Sequence, residues 1–299
     1  MNRLSDLYKR YSILKLLKKV DDRYGVQAFV RVMNSHWFNP LATIYVNLLS
    51  FPFRKAVKLP IFIYGSPKIY TLVGDMDIIG SVSIGMISFN KTKKLMPGFQ
   101  NFDSELSNVG SIIFHGPCSI GCGNRILVQK NATLEIGEKV IIADNVNIGC
   151  HQSISIGKQS RIAHRCQILE SNHHFMLKVK DFTISPATHP IKIGKGCWIC
   201  NSTTITGGVT IPDLCIVASN SLVNSSLGNE GFKADPGSII GGIPARLIAS
   251  KVAFRVFNHE LEGFLFQWFA KHKDEKYILP EGMTIEEVTT IKMQDERKM

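Results

Sequence analysis

The chain has 299 residues, 44% of them hydrophobic, and a formal net charge of +11. This composition is typical of a soluble globular protein, with room for one large domain or two ordinary ones. The longest uncharged stretch, from Val32 to Phe53, contains Asn39, Pro40 and Asn47, so it is a weak candidate for a membrane-spanning helix.

The first 60 residues are predicted to be a basic, partly helical segment. They hold eleven Lys or Arg residues against three Asp residues, a net charge of +8. Such a block suits nucleic acid, an anionic membrane surface or a phosphorylated ligand, or it is a solvated basic face. We expect peripheral membrane contact and no nucleic-acid partner. The aromatic residues Trp37, Phe38, Phe51 and Phe53 accompany the cations, as in a segment that lies in a membrane interface. A helix packed on the body of the protein fits these aromatic residues equally well.

The start of the chain predicts a cytoplasmic location, peripheral at the inner face of the cell membrane. Its charges are scattered among apolar residues, and no small-residue cleavage site follows, unlike a secretory signal. The seven cysteines are an odd number, which favours reduced thiols in that compartment, although Cys197 and Cys200 have CxxC spacing.

An aliphatic residue recurs every six positions through the middle of the chain, and a compact residue usually follows four positions later. From residue 193 onward the aliphatic series is Ile193, Ile199, Ile205, Ile211, Val217 and Val223. Upstream the series is Ile136, Ile142, Ile148 and Ile154, and then, in a shifted frame, Ile156, Ile162 and Ile168. This pattern is the hexapeptide signature.

A period of six matches neither the 3.6-residue period of a helix nor the period of two of an ordinary strand. It predicts a repeated short strand plus a corner, three of which close a triangular coil, and stacked coils bury a ladder of Ile and Val. We predict a mainly β fold, a parallel β-helix over residues 61–250, with weaker coils beginning near Val73. Its exposed sheet edges need covers, which the helical flanking segments provide.

The repeat is interrupted between Ile168 and Ile193, and insertions in repeat proteins often carry function. An imidazole titrates near neutral pH and can take the proton of a hydroxyl group. The segment 169–192 therefore predicts either a catalytic base or, equally, ordinary surface histidines of a loop. Its polar residues include Glu170, Asn172, His173, His174, Lys178, Lys180, Asp181 and His189.

Residues 251–299 are predicted to form a C-terminal helix and tail. The helical spacing covers residues 251–272, and a mobile tail or a short lid helix is expected after Lys273. The apolar stripe of the helix comprises Val252, Phe254, Val256, Phe257, Leu261, Phe264, Leu265 and Trp268.

Residues 110–250 resemble the hexapeptide-repeat acyltransferases, specifically the maltose/galactoside O-acetyltransferase branch and the related O-acetyltransferases of bacterial surface polysaccharides. The likeness lies in SISIGKQSRIAHRCQILESNHHF (153–175), IKIGKGCWICNSTTITGGVTI (191–211) and GGIPARLI (241–248). The resemblance implies a left-handed parallel β-helix and a homotrimer with sites between its subunits. It also implies acetyl transfer from acetyl-CoA to a saccharide hydroxyl.

The resemblance also implies roles for individual residues. His173 takes the place of the catalytic base, and Glu170 and Asn172 match positions often filled by aspartate in the family. His174, one position beyond, is a candidate for binding the saccharide. The candidate coenzyme A-binding residues are Trp198, Asn201, Ser219, Asn224 and Arg246, the last placed to meet a phosphate. The resemblance implies no metal.

The chain departs from the family pattern at the acceptor site. Ala143 stands where relatives place an asparagine that contacts the acceptor, and Asn145 is the substitute candidate. Three other functions remain open: an N-acetyltransferase acting on a nucleotide-linked amino sugar, a non-catalytic glycan-binding β-helix and a metal-dependent hydratase. The hydratase needs three histidines that converge on a metal ion. The sequence spacing typical of such a set is lacking among His151, His164, His173, His174 and His189.

Overall fold

The computed structural model describes residues 37–91, 103–224, 234–273, 275–279, 282–284 and 287–288. The helical spacing predicted for the first residues of the chain lies outside this part. Three sheets form the sides of a prism, and successive strands pass from one sheet to the next. We number the strands β1 to β24 and the helices α1 to α3 in chain order.

Every coil contributes strands to the sheets in the same order. Sheet 1 contains β1 (Ile61–Ile63), β4 (Ile87–Phe89), β7 (Cys118–Ile120), β10 (Ile141–Ile142), β13 (Arg161–Ile162), β18 (Trp198–Ile199), β21 (Ile216–Val217), β23 (Ile239–Gly242) and β24 (Ala245–Ala249). Sheet 2 contains β2 (Lys68–Leu72), β5 (Glu105–Asn108), β8 (Arg125–Val128), β11 (Asn147–Cys150), β14 (Gln167–Leu169), β19 (Thr204–Thr206) and β22 (Leu222–Val223). Sheet 3 contains β3 (Asp75–Ile78), β6 (Ser111–Phe114), β9 (Thr133–Ile136), β12 (Ser153–Ile156), β17 (Ile191–Ile193) and β20 (Thr210–Ile211).

The aliphatic ladder predicted from the period of six lines the inside of the prism. Ile162 pairs in register with Ile142 on one side and with Ile199 on the other, and all three side chains are buried. Each such side chain contributes about 1.5–3 kcal/mol when it is withdrawn from water. The predicted fold class, a mainly β left-handed parallel β-helix with helical segments at its ends, is confirmed.

The frame shift in the repeat arises from sheet 3. Ile154 and Ile156 both belong to β12 and are both buried, and they pair with Leu134 and Ile136. A side of the prism with two inward residues is longer by two positions than a side with one, because side chains alternate along a strand. The first coil already begins at Ile61, ahead of the weak repeat signal near Val73, since β1 pairs in parallel with β4.

The cysteines are part of the packed interior. All seven are free, and all are buried except Cys200, which is half-buried. Burial raises the pKa of the Cys197 thiol to about 12, so this side chain behaves as a small apolar residue. Cys166, Cys197 and Cys215 each stand four positions after an aliphatic residue of the repeat, and all three side chains are buried.

Helix α1 (Pro40–Ser50) and helix α2 (Phe53–Ala56) cover the first coil. The Asn47 amide donates to the carbonyl oxygen of Ile61 and accepts from the N–H of the same residue. The Thr43 hydroxyl accepts from the N–H of Ile63. Two polar side chains thus complete the hydrogen bonds of an otherwise open sheet edge. No helix within the described ranges has both the length and the hydropathy to cross a membrane.

At the other end, the antiparallel strand β24 follows β23, and α3 (His259–Lys271) comes next. The prediction of a helix from residue 251 is wrong for residues 251–258. Val252 and Ala253 donate their N–H groups to the carbonyl oxygen of Gly237, which holds this stretch along the last coil. The helix begins only after Asn258, whose side chain caps the N–H groups of Glu260 and Leu261.

Candidate active site

The insertion between β14 and β17 projects from the corner between sheets 2 and 3. Its two ends are held together, because Ser171 bridges Thr188 in antiparallel fashion and Asn172 donates its N–H to the carbonyl oxygen of Ala187 at 2.9 Å. Further out, β15 (Leu177–Lys178) pairs with β16 (Thr183–Ile184). The loop is therefore a hairpin-like excursion, and His173 lies near its base.

His173 is held against a second histidine. Its backbone has a left-handed φ of 58°, and its N–H donates to the Ser171 hydroxyl oxygen at 3.0 Å. The ring meets the ring of His151 edge to face, with 4.8 Å between centroids and an interplanar angle of 83°. His151 directly follows β11, so the loop and the body of the prism each supply one imidazole.

Glu170 fixes the corner that carries His151. Its carboxylate accepts from the backbone N–H groups of His151, Gln152 and Ser153, the last at 2.8 Å. The residue is 1% exposed, and this burial raises the pKa of the carboxyl group above its ordinary value, while the N–H groups of Ser153 and His151 oppose the shift. The carboxylate thus turns toward the backbone of the corner.

The environment of His151 favours its neutral form. Partial burial lowers the pKa of the His151 imidazole below its ordinary value; the backbone of Gly149 opposes this shift, and the neighbouring His173 adds to it. Its Nδ1 atom is buried and has no hydrogen-bond partner among the described residues. His151 therefore presents an uncharged ring to His173 at neutral pH.

Both histidines line a groove of about 350 Å³ on the outer face of sheet 2. Its floor and walls include Tyr70, Ser107, Leu127, Gly149 and Leu169. A second, more polar depression of about 490 Å³ shares Glu105, Arg125 and Asn147 with it and continues the groove. The second depression is lined by Lys68, Asp103, Glu105, Gly123, Arg125, Asn145 and Asn147.

The residues predicted to bind the acceptor lie at different distances from this groove. Asn145 lines the polar depression, at the corner between sheets 1 and 2. His174 is exposed on the loop beside His173. Asn172 contributes its backbone to the base of the loop, and its side chain is exposed.

The residues predicted to bind coenzyme A lie on another part of the surface. Trp198 is in sheet 1, paired in register with Arg161 and Ile216. Asn201 and Ser219 occupy neighbouring coils at the corner between sheets 1 and 2, Asn224 follows β22 and Arg246 belongs to β24. None of these five residues is among the described residues that line the groove of His173. Within one protomer, the structure does not bring the two sets together.

Across the part of the chain that the structure describes, no three His, Cys, Asp or Glu side chains converge as metal ligands would.

The sequence analysis did not predict the contact of His151 with His173. It considered His151 only as a candidate metal ligand. The signal was present in the coil register, because β11 pairs with β14 and so places residue 151 beside the start of the insertion.

These coils, with a histidine-bearing loop inserted at one corner, define a hexapeptide-repeat protein. No family model matches the chain. The putative lipopolysaccharide biosynthesis O-acetyl transferase WbbJ of Escherichia coli K12 is 25% identical over 202 residues, which cover 64% of this chain and 93% of the relative. The putative colanic acid biosynthesis acetyltransferase WcaF of the same strain is 30% identical over 120 residues, 40% of this chain and 59% of the relative.

Among solved structures, the polysialic acid-specific acetyltransferase NeuO is 16% identical, and the match covers 72% of this chain and 94% of the other. The TM-score is 0.33, and a likeness at this level supports no inference about activity. The repeat and the sequence relatives support the hexapeptide-repeat acyltransferase family.

Proposed function

We propose that the protein is an acetyl-CoA-dependent O-acetyltransferase that modifies a sugar hydroxyl during the synthesis of a bacterial surface polysaccharide. The observation that carries the proposal is the position of His173, which the insertion holds against His151 at a groove on the outside of the β-helix. The printed names of WbbJ and WcaF, which describe transferases of lipopolysaccharide and colanic acid biosynthesis, support the same class of acceptor.

In the proposed reaction His173 is the general base. It takes the proton of the sugar hydroxyl, and the oxygen attacks the carbonyl carbon of the thioester. The tetrahedral intermediate expels the sulfur of coenzyme A, which takes up the proton from His173. A backbone N–H or a loop side chain stabilises the developing oxyanion, and no covalent intermediate on the enzyme is required.

His151 and Glu170 have positioning roles in this proposal. The carboxylate of Glu170 holds the corner at residues 151–153, and this corner sets the place of the His151 ring. The uncharged His151 ring packs edge to face on His173 and limits the directions in which the base can point. A base fixed in this way is already oriented when the acceptor arrives.

The polar depression beside the histidines suits the acceptor sugar. It combines carboxylate, guanidinium and amide groups, in Glu105, Arg125, Asn145 and Asn147, which hydrogen-bond readily to sugar hydroxyls. It joins the histidine groove through shared residues, so a saccharide lying in it can extend one hydroxyl toward His173.

We further propose that the active enzyme is a homotrimer with its sites between subunits. The predicted coenzyme-binding residues Trp198, Asn201 and Ser219 lie on sheet 1 or at its corner, away from the groove of His173. A neighbouring protomer that presents this surface to the groove would unite the donor and the base in one site.

Incubation of the purified protein with acetyl-CoA and a panel of bacterial saccharides tests the activity. The expected result is release of free thiol that depends on the saccharide, and a product heavier by one acetyl group that mild base removes. A base-stable acetyl group would instead indicate the amino-sugar N-acetyltransferase. If the protein binds a saccharide but no saccharide of the panel causes release of thiol from acetyl-CoA, the result would indicate the non-catalytic glycan-binding alternative.

A further inference from the structure

Helix α1 buries three polar residues together with Val46, and it exposes most of its apolar residues. The face toward β1 carries Thr43, Asn47 and Ser50, all buried, and two of these bind the backbone of that strand. The opposite face is apolar and accessible to solvent. Polar residues are needed on the buried face because the helix covers an open sheet edge, whose backbone groups need hydrogen-bonding partners.

The exposed face has the spacing of a continuous helical stripe. Its residues stand at positions i, i+3, i+4, i+7 and i+8 along α1, and the exposed Phe53 of α2 extends it. Leu41 is 79% exposed and Phe53 is 75% exposed. We call this surface the outer face of α1; it comprises Leu41, Ile44, Tyr45, Leu48, Leu49 and Phe53. An apolar stripe of this extent on a helix surface indicates an interaction site.

Cations border the outer face on its C-terminal side. Arg54 and Lys58 are exposed, and Lys55 forms an ion pair with Asp77. Upstream in sequence, residues 1–36 carry eight Lys or Arg residues against three Asp residues. An apolar stripe bordered by Arg54 and Lys58 is complementary to a bilayer, where an apolar layer lies beneath anionic headgroups.

We propose that the outer face of α1 docks on an anionic phospholipid bilayer, with the helix in the plane of the interface. Leu41, Leu48 and Phe53 enter the boundary between headgroups and acyl chains, while Arg54 and Lys58 remain at the level of the phosphates. Among the aromatic residues expected at a membrane, Phe51 is excluded, because it is buried in the core. This docking does not depend on the proposed acetyl transfer.

Co-sedimentation of the full chain with vesicles tests the proposal. Wild-type protein is expected to bind vesicles of phosphatidylglycerol and phosphatidylcholine, and to bind pure phosphatidylcholine much less. The double variant Leu41→Ser/Phe53→Ser should lower the partition coefficient roughly tenfold or more. Phe266→Ser is the matched control, since Phe266 is also on a helix and is 72% exposed, and its binding should equal that of the wild type.

The charge component is tested with Arg54→Gln/Lys58→Gln, which should weaken binding to anionic vesicles roughly threefold to tenfold at low salt and less at high salt. The thermal melting temperatures of the variants should match that of the wild type, because all four side chains are exposed. Unchanged vesicle binding by Leu41→Ser/Phe53→Ser would overturn the proposal. The proposal would also be overturned if this variant had a lower molar mass than the wild type in light scattering but still bound vesicles. The outer face would then be an interface between copies of the chain.

Discussion

At the residue scale, the proposed chemistry depends on which imidazole of the adjacent pair His173 and His174 is aligned with the substrate. Both are exposed, but the first contacts His151 and lines the groove, whereas the second is not among the described residues that line it. His173→Ala should lower the turnover number about 100-fold or more, because positioned bases contribute about 10²–10⁴. Steady-state measurement of thiol release checks this.

Coenzyme A binding and the oligomeric state should survive in His173→Ala, since the side chain lies on an exposed part of the loop. His174→Ala is the matched control and should retain turnover within a few-fold of the wild type. Equal turnover by His173→Ala and the wild type would remove His173 from the role of base.

The carboxylate of Glu170 supports the corner at residues 151–153. Glu170→Ala leaves three backbone N–H groups without their acceptor, so the free energy of unfolding should fall by about 2–4 kcal/mol. Urea denaturation measures the change. Glu135→Ala, which removes an exposed carboxylate paired with His115, should change the same free energy by less than about 1 kcal/mol. Comparable losses in the two variants would contradict the anchoring role.

The sequence identified His173 only because its surroundings resemble a known family. Single-sequence chemistry left loop histidines and a catalytic base equally plausible. The coil register places His151 beside the start of the insertion, but its ring contact with His173 also depends on the course of the insertion, which the repeat does not specify. Glu170 was expected beside the base, whereas its carboxylate faces backbone amides that carry no sequence signal.

At the element scale, α1 acts as a cover whose buried face is polar. Asn47→Ala should lower the free energy of unfolding by about 2–4 kcal/mol, because the N–H and carbonyl groups of Ile61 lose their partner. Leu48→Ala, on the outer face of the same helix, should change it by less than about 1 kcal/mol. Denaturant titrations of the two variants decide the matter, and the reverse ranking would refute this role for Asn47.

The insertion is separable from the coils that flank it. Ser171 and Thr188 already bridge at its base, and β14 and β17 pair with strands of neighbouring coils. Replacing residues 172–187 with a Gly-Gly turn should preserve the β-helix, as judged by circular dichroism and melting temperature, and abolish acetyl transfer. Retained transfer would place the chemistry outside the loop.

The sequence predicted the coils well and their covers less well. The ladder of Ile199, Ile205 and Ile211 was readable because every coil repeats the same inward position. The repeat was read only weakly near Val73, because the first coils vary in length and weaken the period. A pattern that assigns apolar residues to the buried face could not predict the orientation of α1, where Thr43 and Asn47 are buried for their hydrogen bonds.

At the scale of the whole molecule, the two proposals concern different parts of the prism. Helix α1 covers the first coil with its buried face and presents its outer face to solvent, while the groove of His173 runs along sheet 2 from Tyr70 to Leu169. In a cyclic trimer the three equivalent docking faces would lie in one plane, so weak individual contacts with a bilayer would reinforce one another. Such an enzyme would suit an acceptor held at the membrane.

The central claim is that the thioester and the base meet in the groove on sheet 2. A crystal structure of the oligomer with coenzyme A tests it most directly. The account predicts that the coenzyme thiol lies in that groove against the His173 ring, with space for an acceptor hydroxyl within about 3.2 Å of the imidazole. A thiol bound at a distance from His173, with the imidazole facing bulk solvent away from every subunit contact, would contradict it.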